Sequence, residues 1–324
     1  MSDIVDPEET AQAVADEALA DAPVDDLLVT YTGTEIPKTD RKTVKREQRK
    51  QLLRTPSFII GNVITWFWVL CAVAPNLLAR YPENDPVRDP VTDAVVARQG
   101  PSSLAWFGTD ATGRDVYSRV IYGADNVLTN APIAALIAVV AGSVLGLLMG
   151  YYKGWLDEIL GRIIEAILSL PVILLAIMVL VVFGKSRLAI ILTIAGLFTP
   201  VVTRTIRSAV LSEAQLDYVT SAKLRGEPGV FIMLREILPN ITGVQVVEFT
   251  VRVGYAIFTV ATLAFLGLSS DDFTAADWGL DISQSYSLMT ANQWWPSVFP
   301  ALAIASLVIG VNLIADSIEK VYKA

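Results

Sequence analysis

Apolar runs long enough to cross a membrane recur along this chain, separated by polar segments of unequal size. By hydropathy they cover roughly Ser57–Ala79, Asn126–Tyr151, Leu156–Phe183, Leu188–Val210, Ile241–Leu268 and Pro296–Ile318. A helix needs about 20 apolar residues to cross the hydrocarbon core. In lipid the backbone must also satisfy its own hydrogen bonds. The pattern therefore predicts an all-α polytopic membrane protein with about six transmembrane helices over residues 57–320.

The polar flanks predict its orientation. Lys38, Arg41, Lys42, Lys45, Arg46, Arg49, Lys50 and Arg54 form a basic juxtamembrane segment, 38–56, directly before the first run. Positive flanks stay cytoplasmic, so both termini and the loops 152–155 and 211–240 are expected inside. Lys153, Arg204, Arg207, Lys223, Arg225, Arg235, Lys320 and Lys323 agree with that assignment, whereas Lys185 and Arg187 fall outside. A nucleic-acid arm is the competing reading of the basic segment, and the span that follows it outweighs that reading. The apolar run starts too far from Met1 for a cleavable signal peptide.

Composition sharpens this picture. Of 324 residues, 53% are hydrophobic and 18% charged, with a mean hydropathy of +0.51; soluble domains carry about 25% charged residues. The net charge of -8 says little about partners, because residues 1–37 hold many acids and no Lys or Arg. That segment reads as an acidic disordered tail. The chain has no histidine and one cysteine, Cys71. Disulfides, Cys-rich metal sites and His-based catalysis are thereby excluded, and no catalytic or metal-binding residues are expected.

Within the spans, Gly142, Gly146 and Gly150 repeat every four residues and predict a face for close helix packing. Pro132, Pro171, Pro200 and Pro300 lie in or near spans and suit kinks. Glu165, Glu248, Arg252 and Asp316 are intramembrane charges. Each costs about 2.5–3.5 kcal/mol on insertion scales, so they should face the bundle interior or a wet cavity. Glu248 and Arg252, spaced i,i+4, can pair. Either they neutralise each other structurally, or, with Glu165, they line a translocation path. Gly184-Lys185-Ser186 ends like a phosphate-binding loop, but Val179 stands where such a loop needs glycine. Between spans, the external loop 80–125 is rich in Pro and Asp and offers no clear core. The loop 269–295 carries Trp278, Trp294 and Trp295, expected at headgroup level.

The polar gap 211–240 has no packing role in a bilayer. It reads as a helix from Ser212 to Leu224, a break at Gly226, Pro228 and Gly229, and a second helix from Val230 to Leu238 stopped by Pro239. Two short helices with a glycine hinge form a cytoplasmic knob on which a soluble partner can dock.

Here a family resemblance becomes visible. Gly226 followed by Ile237-Leu238-Pro239 resembles the coupling ("EAA") loop of ABC-importer permeases. Phe107-Gly108-Thr109-Asp110-Ala111-Thr112-Gly113-Arg114-Asp115-Val116-Tyr117-Ser118-Arg119 resembles the "LGTDxxGRDxxSR" signature of peptide/nickel permeases. Phe265-Leu266-Gly267-Leu268 with Asp277-Trp278-Gly279, then Trp294-Trp295-Pro296 through Pro300 and Asn312 through Asp316, follow in that family's order. The chain is most similar to the C-type subunit of dipeptide/oligopeptide permeases. It departs where Thr220 and Ser221 replace the first Glu and Ala of "EAA", leaving Ala222, and where Val260 replaces a Glu found in many relatives.

The resemblance implies an ABC type I importer permease fold in a bacterial cytoplasmic membrane. It implies a second permease subunit, two ATPase subunits that hold ATP and Mg, and an external substrate-binding protein; this chain itself binds no cofactor. Thr220, Ser221, Ala222, Gly226, Ile237, Leu238 and Pro239 would meet the ATPase. Gly108, Thr109, Asp110, Gly113, Arg114, Asp115, Ser118 and Arg119 would serve the external gate or the binding protein; from the residues alone they read as a salt-linked helix start. The cargo would be di- or oligopeptides, with nickel chelate, glutathione or haem as alternatives. An ion-coupled secondary transporter using Glu165 and Glu248 is the reading from another class.

Overall fold

A computed structural model describes residues 52–269, 272 and 274–323; the acidic segment 1–37 and the basic residues up to 51 lie outside these described residues. The chain order is α1 (Pro56–Val73), α2 (Pro75–Leu78), α3 (Val116–Tyr122), α4 (Ala124–Tyr152), α5 (Gly154–Leu168), α6 (Val172–Phe183), α7 (Arg187–Glu213), α8 (Asp217–Leu224), α9 (Gly229–Phe231), a π turn (Ile232–Ile237), α10 (Thr242–Phe265), α11 (Trp278–Ser285), a 3-10 turn (Tyr286–Ala291) and α12 (Trp295–Lys323). Five helical stretches are long and apolar enough to cross a membrane, and α5 with α6 make a sixth if they count as one broken span.

The bundle is built around α4 and α7. A methyl group on Gly142 would lie 2.7 Å from the Val202 side chain, one on Gly146 2.8 Å from Ile206, and one on Gly150 2.7 Å from Val210. Three glycines at i, i+4 and i+8 thus receive three β-branched residues at the same spacing on α7. With no apolar-solvent driving force between helices in lipid, such backbone approach is what holds them. The third member is α10, tied to α4 by Gln245 Nε2 donating to Ser143 Oγ at 2.8 Å. Along the outside, α1 packs on α12, where Trp68 Nε1 donates to Ser306 Oγ at 2.9 Å.

Helix boundaries depart from the sequence expectation where proline meets exposure. Residues Leu156–Phe183 are not one continuous helix: the chain breaks between Leu168 and Val172 and turns by 93°. Pro132, Pro200 and Pro300 stay inside continuous helices, where they are half-buried or buried and neighbours can hold the freed backbone groups. Pro171 is exposed, so nothing restrains the break.

Segment 80–125 does have a core, contrary to the expectation from its Pro and Asp content. Antiparallel bridges join Pro86 to Arg114, Arg88 to Val95 and Thr109 to Asp115. Val87 and Ala105 are fully buried, and Phe107 stacks on Phe299 with ring centres 3.9 Å apart. The tryptophans of 269–295 also differ from expectation. Trp278 is fully buried and Trp295 nearly so; Trp278 donates to the Val120 carbonyl at 2.8 Å and meets Trp68 edge-on at 4.8 Å. Only Trp294 remains substantially exposed. Their indole N–H groups find carbonyl partners inside the fold, which removes the reason for an aromatic ring to stay at a wet interface.

Replacing Gly146 with Leu should be destabilising, because overpacking a filled contact costs about 1–3 kcal/mol. The expected outcome is a lower unfolding temperature of the detergent-solubilised protein, with Gly161→Leu, where a side chain meets open space, as the control.

Candidate functional site

The residues of the 107–119 motif and of the 211–240 segment collect at two opposite ends of α4. At its start lies the 107–119 motif. Asp110 holds the loop closed: its Oδ1 accepts from the backbone N–H groups of Thr112 (2.8 Å) and Arg114 (2.9 Å), and its Oδ2 accepts from Arg114 Nε at 2.6 Å. Gly108 and Gly113 supply backbone at φ 77° and 88°. Thr109 is buried, and its carbonyl accepts from Trp295 Nε1 at 3.0 Å. Asp115 caps α3, accepting from the Ser118 N–H at 2.9 Å and its hydroxyl at 2.7 Å. Ser118 Oγ in turn accepts from the backbone N–H groups of Arg80 and Tyr81.

Arg119 is the centre of this end. It is 2% exposed. Its Nε and Nη2 donate to Asp281 Oδ1 at 3.0 and 2.5 Å, Nη1 to Asn84 Oδ1 and the Thr274 carbonyl, and Nη2 also to the Ala275 carbonyl. One guanidinium therefore binds α11, the segment before it and the 80–125 segment to α3. A buried charge is tolerated only with such saturation. Asp281 Oδ2 has no hydrogen-bond partner, and burial pushes this carboxyl up to about 6 against the opposing pull of Arg119. Burial likewise raises Asp115 and Asp277.

Beside it runs a polar relay that sequence reading missed. Arg187 Nε donates to Asn130 Oδ1 at 3.0 Å, Asn130 Nδ2 to Asn126 Oδ1, and Asn126 Nδ2 to Asp277 Oδ2. Asp277 then caps α11 through the N–H groups of Gly279 and Leu280. Arg187, which disagreed with the charge bias, is thus bound into this end, with Asp125 3.5 Å away. The four-residue spacing of Asn126 and Asn130 was the available signal.

At the far end of α4 lies the 214–241 segment. The first helix is shorter than expected: α7 ends at Glu213 and α8 begins at Asp217. Gly226 turns the chain at φ 76°, a conformation that costs most residues about 1–2 kcal/mol. After Pro228, α9 passes into a π turn in which the Leu238 N–H donates to the Met233 carbonyl at 2.9 Å. Val219, Ala222, Ile232, Met233 and Ile237 are buried and form one cluster with Val202, Ile206 and Val210, so the segment is seated on the same ridge of α7 that fills the α4 glycines. Tyr218 donates to Glu213, accepts from Asn240 Nδ2 at 3.0 Å, and burial with that carboxylate pushes its hydroxyl up to about 12. Facing outward are Thr220, Ser221, Arg225, Gly226 and Pro239, with Leu238 half-buried, beside exposed Leu224, Val230, Phe231 and Leu234.

The intramembrane charges do not form one group. Glu248 and Arg252 pair at 2.9 Å, largely buried, with Arg252 over the Tyr255 ring. Glu248 cannot replace a carboxylate at Val260, which is buried and twelve residues, about 18 Å, further along α10. Glu165 instead sits on α5 and lines a cavity of 650 Å³ with Asp157, Glu158, Arg162, Arg204 and Arg207. Arg204 and Arg207 entered the sequence reading only as flanking charge.

Arg119→Met should cost about 3–5 kcal/mol by stranding Asp281, and adding Asp281→Leu should recover most of it; unfolding temperatures check both. The pH response follows from Asp281. Its folded carboxyl holds a proton more tightly than the unfolded one, which titrates near 3.8. Stability is therefore gained as pH falls from about 6 towards 4 and lost as the carboxyl ionises. Asp281→Asn should shrink that gain.

Residues 142–323 match the family described as binding-protein-dependent transport system inner membrane component. The chain is 34% identical over 276 residues to the dipeptide transport system permease protein DppC of Alkalihalophilus pseudofirmus, covering 85% of this chain and 88% of that protein. It is 32% identical over 295 residues to a putative peptide transport system permease protein of Brucella suis biovar 1, covering 91% and 96%. To the glutathione transport system permease protein GsiD of Escherichia coli O6:K15:H31 it is 38% identical over 220 residues, covering 68% and 72%. With its membrane-spanning helices and this match over more than half its length, the chain belongs to the binding-protein-dependent transport system inner membrane components, as a multi-pass ABC permease of the peptide type.

Proposed function

We propose that this chain carries di- or oligopeptides into the cytoplasm as one permease of an ATP-driven importer. An external binding protein delivers the peptide to the Arg119 end, and two ATPase subunits dock on the Gly226 end. A second, similar permease completes the pathway in a bacterial cytoplasmic membrane. ATP and Mg stay on the ATPases, and this chain makes or breaks no bond.

The observation that carries this reading is the seating of the 214–241 segment. Its inner face is a packed apolar cluster continuous with α7, while its outer face shows exposed Leu224, Val230, Phe231 and Leu234. A solvated loop has no reason to expose large apolar side chains together, whereas a docking surface does. Because Val202, Ile206 and Val210 belong both to that cluster and to the α4 contact, a push on the knob reaches the spans as rigid motion. ATP binding supplies the differential affinity for two states that any such switch needs. The peptide cargo is supported by the names of the dipeptide, peptide and glutathione relatives. Inward placement of the Gly226 end is supported by Lys153, Lys223, Arg225 and Arg235 around it, by the positive-inside bias.

Gly226→Leu tests the coupling. A side chain there meets open space, so its effect is confined to the positive φ. The expected outcome is normal membrane insertion with peptide uptake reduced at least ten-fold in the assembled importer. Normal uptake by that variant would overturn the docking role.

A further inference from the structure

Four of the six charges lining the cavity between α5 and α7 are committed to one another. Arg207 clamps Asp157 with hydrogen bonds of 2.5 and 2.7 Å, and Arg162 pairs with Glu158 at 2.7 Å. Two remain: Arg204 on α7 and Glu165 on α5. They are opposite in sign, both exposed, and have no ion pair or side-chain hydrogen bond among the described residues. Arg204 lies nine residues before the end of its helix, about 14 Å along the axis, within a stretch apolar enough to span a membrane. Exposed and without a partner inside the chain, its guanidinium is open to water, another chain or a passing solute.

The chain has the means to neutralise Arg204, since it pairs Arg207 one turn further on, and it does not use them. What is left is a cavity with balanced walls, one open cation and one open anion. Its 650 Å³ lies within the range of about 300–1,000 Å³ for small-molecule sites. A short peptide with free termini presents the complementary pair, a carboxylate at one end and an ammonium at the other. A guanidinium takes a carboxylate through two parallel N–H groups, and a carboxylate accepts from the three N–H groups of an ammonium. Met149, Gly154, Gly161, Ile164 and Thr203 complete the walls without adding a further charge.

We propose that Arg204 and Glu165 form a two-point site for the termini of the transported peptide, Arg204 holding the carboxylate and Glu165 the ammonium. This rests on the peptide-importer reading above. It assigns recognition to the ends of the cargo and leaves the side chains unread, as a carrier of mixed peptides requires. Arg204 is thereby a specificity-determining residue of the pathway.

The test uses the complete importer in proteoliposomes, with its binding protein loaded with a radiolabelled dipeptide. Arg204→Gln and Glu165→Gln should assemble normally and hydrolyse ATP within two-fold of the unaltered importer, yet deliver at least ten-fold less peptide per ATP. Arg204→Lys, which keeps the charge but not the fork, should recover part of that loss. Unchanged delivery per ATP in both neutral variants would overturn the site. So would loss of the second permease from the Arg204→Gln complex on size-exclusion chromatography, which would make Arg204 a subunit contact. An unaltered importer that takes up no peptide would instead overturn the peptide reading itself, and is distinguished by appearing without any substitution.

Discussion

At Gly142, Gly146 and Gly150 nothing larger than hydrogen fits between α4 and α7, and Val202, Ile206 and Val210 fill the space that results. Every other placement refers back to this contact. The start of α4 carries Arg119's helix and the Asn126–Asn130 relay; its end carries Tyr151, whose ring lies against Gly229 of the knob. On α7, Arg187 enters the relay at one end, and Val210 enters the knob's apolar cluster at the other. Two helices in backbone contact thus connect two functional ends with little compliance between them. Packed interfaces of that kind pass motion as rigid displacement rather than by local deformation.

The chain distributes its charges unequally between those ends. Around Arg119 nearly every ionised group is saturated by a partner inside the chain, and the geometry reads as a latch that holds α11 and the 80–125 segment in one arrangement. Among the described residues, Asp281 Oδ2 and Asp115 Oδ1 are the buried carboxylate oxygens left without a partner there. Toward the Gly226 end charges are left open, on the knob and in the cavity between α5 and α7. Saturation gives shape, and open charge gives a place for something else to bind.

Much of the fold was legible because a bilayer leaves so few options. Spans could be read from hydropathy, the packing stripe from four-residue glycine spacing, and the knob from a polar gap broken by Gly226 and stopped near Pro239. The Glu248–Arg252 pair followed from i,i+4 spacing alone. The folded core of 80–125, the burial of Trp278 and Trp295, and the Arg119–Asp281 pair across 162 residues were not legible. Each depends on contacts between segments far apart in sequence, and local composition carries no record of them.

Alone, the sequence determined that the chain is a helical membrane protein, roughly where its long apolar helices lie, and that two of them pack through small residues. It did so because in hydrocarbon each helix must satisfy its own backbone, making length and polarity sufficient evidence. Tertiary structure decided where Pro171 breaks a span, which charges find partners and which stay open, and that Glu165 shares a cavity with Arg204 rather than with Glu248. Those outcomes depend on which helix faces lie opposite one another, and rotation about a helix axis is set by its neighbours.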